Sequence, residues 1–98
     1  MMENVLKEKG ISIDIEAFHP GVFLLEEIET QQLVKKDIAK ALDILPNHLS
    51  DIFVGKRNIS AKLAIKLERV LGSSAHYWFG MQAQYDLFLA KEAEFKVV

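Results

Sequence analysis

Apolar residues in the middle of the chain recur at helical spacing in two short stretches with only a few residues between them. The first stretch contains Ile38, Ala39 and Leu42, the second contains Leu49, Ile52 and Phe53, and the connector reads DILP. A connector this short favours two helices that cross at a steep angle. Pro46 suits the first turn of the second helix, and Gly55 suits its end. The pattern over residues 33–60 therefore predicts a helix-turn-helix.

A further helix is predicted before this pair. It should begin at Pro20, with His19 as its N-cap and with Phe18 packed against Phe23. Spacing along the helix predicts an inner face made of Val22, Leu25 and Ile28. Its outer face is acidic, so it should lie away from any DNA backbone.

Two more helices are predicted after the pair. The fourth helix should start at Ser60 and stop at Gly72. Its inner face should contain Leu63, Ala64, Leu67, Val70 and Leu71. The fifth helix should start near Ser74 and carries two apolar stripes, of which a small domain can cover only one. One stripe holds Trp78, Met81, Tyr85, Phe88 and Leu89, and the other holds Phe79, Ala83, Leu87 and Ala90. We expect a two-fold dimer interface at this helix, formed by Trp78, Phe79, Ala83, Leu87 and Ala90.

The two ends of the chain show a weaker pattern. Residues 11–18 alternate between isoleucine and polar residues, and residues 94–98 alternate more faintly, which is typical of short strands. The alternative is frayed termini. The predicted fold is all-α, with five helices, a central helix-turn-helix and possible short terminal strands. Residues 1–98 should form one domain with a core at 18–90, an N-terminal extension at 1–17 and a tail at 91–98.

The second helix of the central pair leaves a defined set of polar side chains on its outer side. If Leu49, Ile52 and Phe53 face the core, residues one or two positions away must point elsewhere. Those residues are Asn47, His48, Ser50 and Asp51. They are candidates for reading bases in the major groove of DNA, where Asn47 can form a bidentate pair with adenine.

Charge is distributed unevenly, although the net charge is only −2. Residues 1–29 carry two Lys and seven acidic residues, residues 30–62 carry six Lys or Arg and three acidic residues, and residues 63–98 carry four of each. The basic part of the chain coincides with the predicted helix-turn-helix, where contact with phosphate would require it. The second helix of the pair, which carries Asn47, His48, Ser50 and Asp51, is called the reading helix. Lys36 and Lys40 share a face beside it, which favours phosphate contact over a solvated face.

Several classes of function are not supported by the sequence. The chain has no cysteine, and His19, His48 and His76 do not have the spacing of metal ligands. No catalytic triad pattern or phosphate-binding loop is present, so we expect neither an enzyme nor a cofactor. No apolar run approaches the roughly 20 residues that span a bilayer, and the N-terminus lacks the apolar core of a signal peptide. We therefore expect no membrane partner and a cytoplasmic location.

Motifs along most of the chain carry a family resemblance. They are HPGVFLLEEI, the 33–60 segment ending in GKRNIS, SAKLAIKLERVLG and SSAHYWFGMQAQYDL. Together they resemble the HigA/VapI antitoxin branch of the XRE, lambda-repressor-like helix-turn-helix family, from about Phe18 to Leu89. The resemblance implies five helices, a homodimer, binding to operator DNA at the promoter of its own toxin–antitoxin operon, and neutralisation of a HigB-like mRNA-cleaving toxin.

The resemblance also implies roles for particular residues. Lys35 falls at the start of the first helix of the pair, where the family often has a Gln braced against the backbone and the reading helix, and it is counted among the base-reading residues. The base-facing positions are Asn47, His48 and Asp51, with Ser50 beside them, and the phosphate-contacting loop holds Lys56, Arg57 and Asn58. Four positions depart from the family pattern, in which caps are Ser or Thr, the turn has Gly and the helix end has Asn. These are Val34, Leu45, Asp43 and Val54.

Three functions remain open. The first is a sequence-specific, dimeric repressor that is also an antitoxin. The second is a toxin-sequestering interaction protein with little DNA binding, which Asp51 and Val54 would favour. The third is a stand-alone XRE-type regulator. The acidic residues 1–29 are the expected surface for the toxin, because their net charge is −5.

Overall fold

The computed structural model describes residues 17–97, with side chains described as far as residue 94. The five helices in this range are α1 (Pro20–Thr30), α2 (Lys35–Leu42), α3 (Pro46–Phe53), α4 (Ala61–Leu71) and α5 (Ala75–Val97). Helix α1 packs on α3 and α5, α2 packs on α3 and α4, and α4 packs along α5. The predicted all-α fold with a central helix-turn-helix is confirmed. Within the described range no helix combines the length and the apolarity needed to cross a membrane.

The helix ends lie where the local sequence signals placed them. The Nδ1 atom of His19 accepts a hydrogen bond from the Gly21 N–H at 3.0 Å, which caps α1. The Ser60 hydroxyl accepts from the Leu63 N–H at 3.1 Å and caps α4 in the same way. Gly72 follows α4 with a φ of 91°, the left-handed conformation that ends many helices. The starts of α1 and α4 and the end of α4 are therefore set by residues directly next to the helix.

The buried face of α1 differs from the predicted one. Leu24 and Ile28 are fully buried, whereas Val22 is largely exposed and Leu25 is only partly buried. Gly21 belongs to the same buried face, because a Cβ there would overlap the carbonyl oxygen of Ile52 in α3. The backbone of α1 thus rests directly on the end of α3. The prediction of Val22 and Leu25 was wrong because a glycine at a contact point does not register as an apolar residue.

The hydrophobic core draws on all five helices and on the loop before α4. Its members are Leu24, Ile28, Ile38, Ala39, Leu42, Leu49, Ile52, Ile59, Leu63, Ala64, Leu67 and Trp78. Trp78 is the largest of these side chains and has an exposure of 0%. Its indole N–H has no hydrogen-bond partner among residues 17–97. Burial of Trp78 anchors the N-terminal half of α5 on the rest of the domain.

The expectation of short terminal strands is wrong where the structure can test it. Residues 94–97 continue α5 as a helix, and no strand occurs in residues 17–97. The sequence before them is rich in Ala, Lys, Glu and Leu, which favour helix and outweigh two alternating apolar residues. Residues 11–16, the rest of the other predicted strand, lie outside the described residues.

Candidate nucleic-acid interface

The rotation of α3 about its axis is set by two buried side chains. Leu49 and Ile52 are buried in the core. Asn47 and Ser50 consequently point outward and are exposed, and Asp51 is partly exposed beside them. These three residues, at spacings of three and four, share the outer face of the helix. The structure thus brings three of the four predicted base-reading side chains of α3 onto one surface.

His48 lies on the flank of α3 and not at the centre of its outer face. It is partly buried and lines a groove of about 630 Å³ between α2 and α3, together with two lysines and two aspartates, Lys36, Lys40, Asp37 and Asp43. On its other side, His48 lines a smaller cleft of about 160 Å³ with Asn58 and residues of α4. His48 therefore stands between two groups of polar and basic side chains along one edge of the reading helix.

Lys35 and Lys36 occupy the first turn of α2. The ammonium group of Lys35 lies 5.9 Å from the centre of the Phe53 ring, within the range of a cation–π contact. This contact links the start of α2 to the end of α3, as expected for a residue braced against the reading helix. Lys36 is exposed and faces the α2–α3 groove. The two lysines thus serve different surfaces, with Lys35 nearer α3.

Asp51 is paired with a cation from the following loop. The Nε atom of Arg57 lies 3.6 Å from a carboxylate oxygen of Asp51, and both side chains are substantially exposed. The main-chain carbonyl of Asp51 also accepts hydrogen bonds from the N–H groups of Lys56 at 2.8 Å and Arg57 at 3.2 Å. The pair offsets the negative charge that Asp51 would otherwise present to phosphates.

The loop between α3 and α4 is held from two sides. On one side, the Nε2 atom of His19 lies 3.1 Å from the side-chain oxygen of Asn58. On the other, the side-chain oxygen of Gln82 in α5 accepts a hydrogen bond from the Ile59 N–H at 2.8 Å. Both anchors lie at the α4 end of the loop, and the bonds from the Lys56 and Arg57 N–H groups to the Asp51 carbonyl hold its α3 end. The side chains of Lys56, Arg57 and Asn58 are all exposed. The three predicted phosphate-contacting side chains are therefore carried on a loop with fixed ends.

The N-termini of α2 and α3 have no side-chain caps. Val34 and Leu45 occupy the two N-cap positions and make no capping hydrogen bond. The main-chain N–H groups of both first turns are thus without a side-chain acceptor, and such groups commonly bind phosphate. Val34, Leu45 and Val54 are also exposed. Apolar side chains beside a reading helix can contact the methyl group of thymine.

Four of the five residues expected at the dimer interface lie on an exposed face of α5. Phe79 is 45% exposed and Leu87 is 60% exposed, and Ala83 and Ala90 are exposed on the same side. An apolar groove of about 350 Å³ between α4 and α5, the α4–α5 groove, is lined by Ala61, Ala64, Ile65, Ala75, His76, Phe79, Gly80 and Ala83. The placement of Trp78 at the interface was wrong, since it is covered completely within one protomer.

Sequence reasoning missed several residues near the reading helix and near the apolar face of α5. Lys62 and Lys66 of α4 line the small cleft beside His48, and their spacing of four was a signal that could have found them. Ile65 extends the exposed apolar face from α5 onto α4. His19 was predicted only as a helix cap, and Gln82 was not singled out. The loop residue bonded to His19 lies 39 positions away from it, and the one bonded to Gln82 lies 23 positions away. No local sequence pattern indicates a contact over such a separation.

Comparison with known proteins gives consistent matches across the domain. Residues 24–78 match the helix-turn-helix family. Virulence-associated protein I of Dichelobacter nodosus is 36% identical over 80 residues, which cover 81% of this chain and 74% of that protein. An addiction module antidote protein of a HigA family from Coxiella burnetii has a TM-score of 0.76 and 30% identity, covering 84% of this chain and 90% of that one.

A third relative was solved together with DNA. It is the antitoxin HigA of Pseudomonas aeruginosa, solved with the higBA promoter, and it has a TM-score of 0.76 and 33% identity over 83% of this chain and 89% of that one. The family match covers more than half of the chain, and the matches to the curated relative and to both solved structures each cover more than 80% of it. This chain belongs to the XRE-type helix-turn-helix family, and HigA-family antitoxins are among its structural relatives.

Proposed function

We propose that the protein is a dimeric, sequence-specific repressor that binds operator DNA at its own promoter and acts as the antitoxin of a HigB/HigA-type system. The observation that carries this proposal is the exposed outer face of α3, with Asn47, Ser50 and Asp51 on one surface and lysines of α2 lining the groove beside it. The HigA relative solved with the higBA promoter supports it. Operator binding also implies action in the cytoplasm, where the chromosome lies.

The chemistry of the reading helix fits the major groove. Asn47 can make two hydrogen bonds to adenine, and Asp51 can accept one from the amino group of cytosine. His48 lies at the edge of the helix, where it could also contact bases when the helix enters the major groove. Lys35, next to the end of α3, would add a contact near the bases. These four residues and Ser50 would supply sequence recognition.

Positioning on the duplex would come from contacts to phosphate. Lys36 from α2 and Lys56, Arg57 and Asn58 from the loop after α3 are exposed on the two sides of the reading helix. The uncapped first turns of α2 and α3 add main-chain N–H donors. Such contacts fix register and orientation without reading sequence, so they should act equally on any duplex.

A second copy of the chain would double the reading surface. The exposed apolar face of Phe79, Ala83, Leu87 and Ala90 is continuous with the α4–α5 groove, and this face is the proposed two-fold interface. A dimer of this class places its two reading helices about 34 Å apart, one turn of the duplex. Repression would then follow because the bound dimer covers the promoter.

Replacing the reading side chains tests the repressor function. Asn47→Ala and His48→Ala should each weaken binding to a duplex from the chain's own promoter by about 1–3 kcal/mol, because each removes contacts to base edges. Binding to a scrambled duplex and self-association should stay unchanged. Gln84→Ala, an exposed amide on α5, is the matched control. Promoter binding that survives both α3 substitutions would refute the repressor in this form.

A toxin partner is the second part of the proposal. Glu26 and Glu27 of α1 line a cleft of about 220 Å³ with the aromatic rings of Phe23 and Tyr77. This acidic surface is distinct from the reading helix, and it fits a basic, HigB-like protein. A small basic protein encoded in the adjacent reading frame would distinguish an antitoxin from a stand-alone regulator.

The toxin-sequestering alternative is favoured by one specific observation. The Asp51–Arg57 pair reduces the positive charge that is free to meet phosphates. A protein of this kind would bind the adjacent toxin and show no preference for its promoter over a scrambled duplex. Binding affinity for the promoter duplex and for the scrambled duplex, measured as described above, decides between the repressor and the toxin-sequestering protein.

A further inference from the structure

His19 is placed where three parts of the domain meet. It caps α1, its ring lies edge-on to Tyr85 of α5 at a centroid distance of 5.2 Å, and Gly55 of the α3–α4 loop lies against its other side. The side chain is only 6% exposed. Both ring nitrogens nevertheless have hydrogen-bond partners. A histidine this enclosed can fix the orientation of the group that it contacts at the surface.

The two hydrogen bonds of His19 determine where its proton lies. Nδ1 accepts from the Gly21 N–H at 3.0 Å and therefore carries no proton. Nε2 then carries the proton and donates it to the side-chain oxygen of Asn58 at 3.1 Å. The Asn58 amide is thereby oriented, because its oxygen faces His19 and its NH₂ group is left for another partner. An NH₂ group can only donate, which suits an anion.

The Asn58 side chain also lines the small cleft of about 160 Å³ beside α3. Two lysines of α4, Lys62 and Lys66, and His48 of the reading helix line the same cleft, and its remaining lining residues are Ile44, Ser60 and Leu63. The adjacent Ile59 N–H is bound to Gln82, so the main chain at this point is fixed. Two cations and one oriented amide donor beside a reading helix match the chemistry of a phosphate group.

We propose that this cleft, the phosphate cleft, binds one phosphate of the DNA backbone through the Asn58 amide and the ammonium groups of Lys62 and Lys66, and that His19 is the positioning residue that orients the amide. The inference rests on the DNA-binding function proposed above. It assigns to Lys62, Lys66 and His19 a part in binding that the outer face of α3 does not require. His19 acts here through Asn58 and does not itself touch DNA.

A pair of substitutions at position 19 separates capping from positioning. In His19→Asn the side-chain oxygen can replace Nδ1 and keep the cap of α1, but the donor to Asn58 is lost. In His19→Gln the longer amide can reach Asn58, but the cap is lost. His19→Asn should therefore weaken DNA binding about five- to tenfold, the scale of one hydrogen bond, while retaining the fold. His19→Gln should bind DNA more tightly than His19→Asn although it melts at a lower temperature.

A double-mutant cycle shows whether His19 acts through Asn58. Asn58→Ala alone should weaken binding by a similar factor, and adding His19→Asn to it should cause no further loss. Each variant is measured on a promoter duplex and on a scrambled duplex of the same length, because a phosphate contact should be lost equally on both. Equal loss from His19→Asn with and without Asn58 would overturn the positioning role.

The phosphate contact itself has tests that do not depend on His19. Lys66→Gln should lower the slope of log affinity against log salt by about 1, whereas Lys91→Gln on the distal part of α5 should not change it. Asn58→Asp keeps the acceptor for His19 but replaces the NH₂ group with a charged oxygen, so it should bind more weakly than Asn58→Ala. An unchanged slope for Lys66→Gln, or Asn58→Asp binding as tightly as the wild type, would overturn the cleft.

The same measurements distinguish this inference from the function on which it rests. A wild-type protein with no preference for the promoter duplex contradicts the repressor, yet the cycle can still be read on the scrambled duplex. A clear promoter preference together with independent effects of His19 and Asn58 contradicts only the positioning role.

Discussion

Single residues with unusual backbone conformations mark the two turns that flank α2. Gln32 and Asp43 are held at positive φ values of 57° and 60°. After α1, the Leu33 N–H donates to the carbonyl of Ile28, five residues earlier, at 2.9 Å. This is the 6→1 hydrogen bond of a Schellman motif. The left-handed residue of this motif is usually Gly, since a side chain costs about 1–2 kcal/mol there. Asp tolerates the conformation because its short polar side chain can bond locally, whereas Gln has no such advantage.

Gln32→Gly should therefore stabilise the protein. We expect the free energy of unfolding to rise by about 0.5–1 kcal/mol, because relief of the left-handed strain exceeds the added entropy of the unfolded chain. Urea denaturation measures the change. Gln31→Gly is the matched control, because Gln31 has an ordinary φ of −84° and should lose stability. A change of the same sign in both variants would contradict the assignment of strain to Gln32.

At the scale of helices, a buried side chain of α5 joins this helix to the α3–α4 loop. Gln82 is 3% exposed, accepts from the Ile59 N–H and donates to a carboxylate oxygen of Asp86 at 3.0 Å. The loop that carries Lys56, Arg57 and Asn58 is thereby attached to α5. A buried N–H without its acceptor costs about 1–3 kcal/mol, so this single bond has a measurable effect on the loop.

Gln82→Leu should loosen that loop. Leu has a similar volume but no acceptor, so the Ile59 N–H would be left unpaired and stability should fall by about 1–3 kcal/mol. Hydrogen exchange at the Ile59 amide should accelerate more than exchange in the α4 core. Gln84→Leu, an exposed position two residues along α5, is the control and should leave both quantities nearly unchanged. Normal protection of Ile59 in Gln82→Leu would refute the attachment.

Features of the fold that depend on neighbouring residues could be predicted from the sequence, whereas those that depend on distant residues could not. The starts of α1 and α4 followed from His19 and Ser60, because a cap and the N–H that it binds are only a few positions apart. The buried face of α1 was mispredicted because its contact with α3 is made by the backbone at Gly21. The bonds from His19 and Gln82 to the loop join residues far apart in the chain, and no local periodicity indicates them.

At the scale of the whole molecule, the polar outer face of α3 and the apolar face of α5 are carried by different helices. The outer face of α3 and the loop after it present polar and basic groups, whereas α5 presents Phe79, Ala83, Leu87 and Ala90. Ile65 of α4, which is 47% exposed, enlarges the apolar face. An apolar area of this kind on a small domain indicates an interaction surface. Recognition and self-association can therefore be altered separately.

Phe79→Ser should weaken the proposed dimer without unfolding the protomer. Sedimentation velocity over a dilution series should show dissociation at higher protein concentration than for the wild type, since an exposed ring is removed from the interface. Tyr77→Ser is the matched control, because Tyr77 is similarly exposed but lines the cleft with Phe23 and the acidic residues of α1. Equal effects of the two substitutions on association would exclude the α4–α5 face as the dimer interface.

If the protein is the repressor proposed above, the burial of Trp78 inside one protomer has a consequence for how promoter occupancy responds to protein abundance. The single chain buries Trp78 completely in its own core, so a newly made chain is expected to fold before it meets a second copy. Folding and pairing are then separate equilibria. At low abundance the concentration of pairs grows as the square of the concentration of single chains, so promoter occupancy would rise steeply once a threshold level is passed. Under the proposed function, the gene would be transcribed when the protein is diluted, and transcription would fall steeply as the protein accumulates.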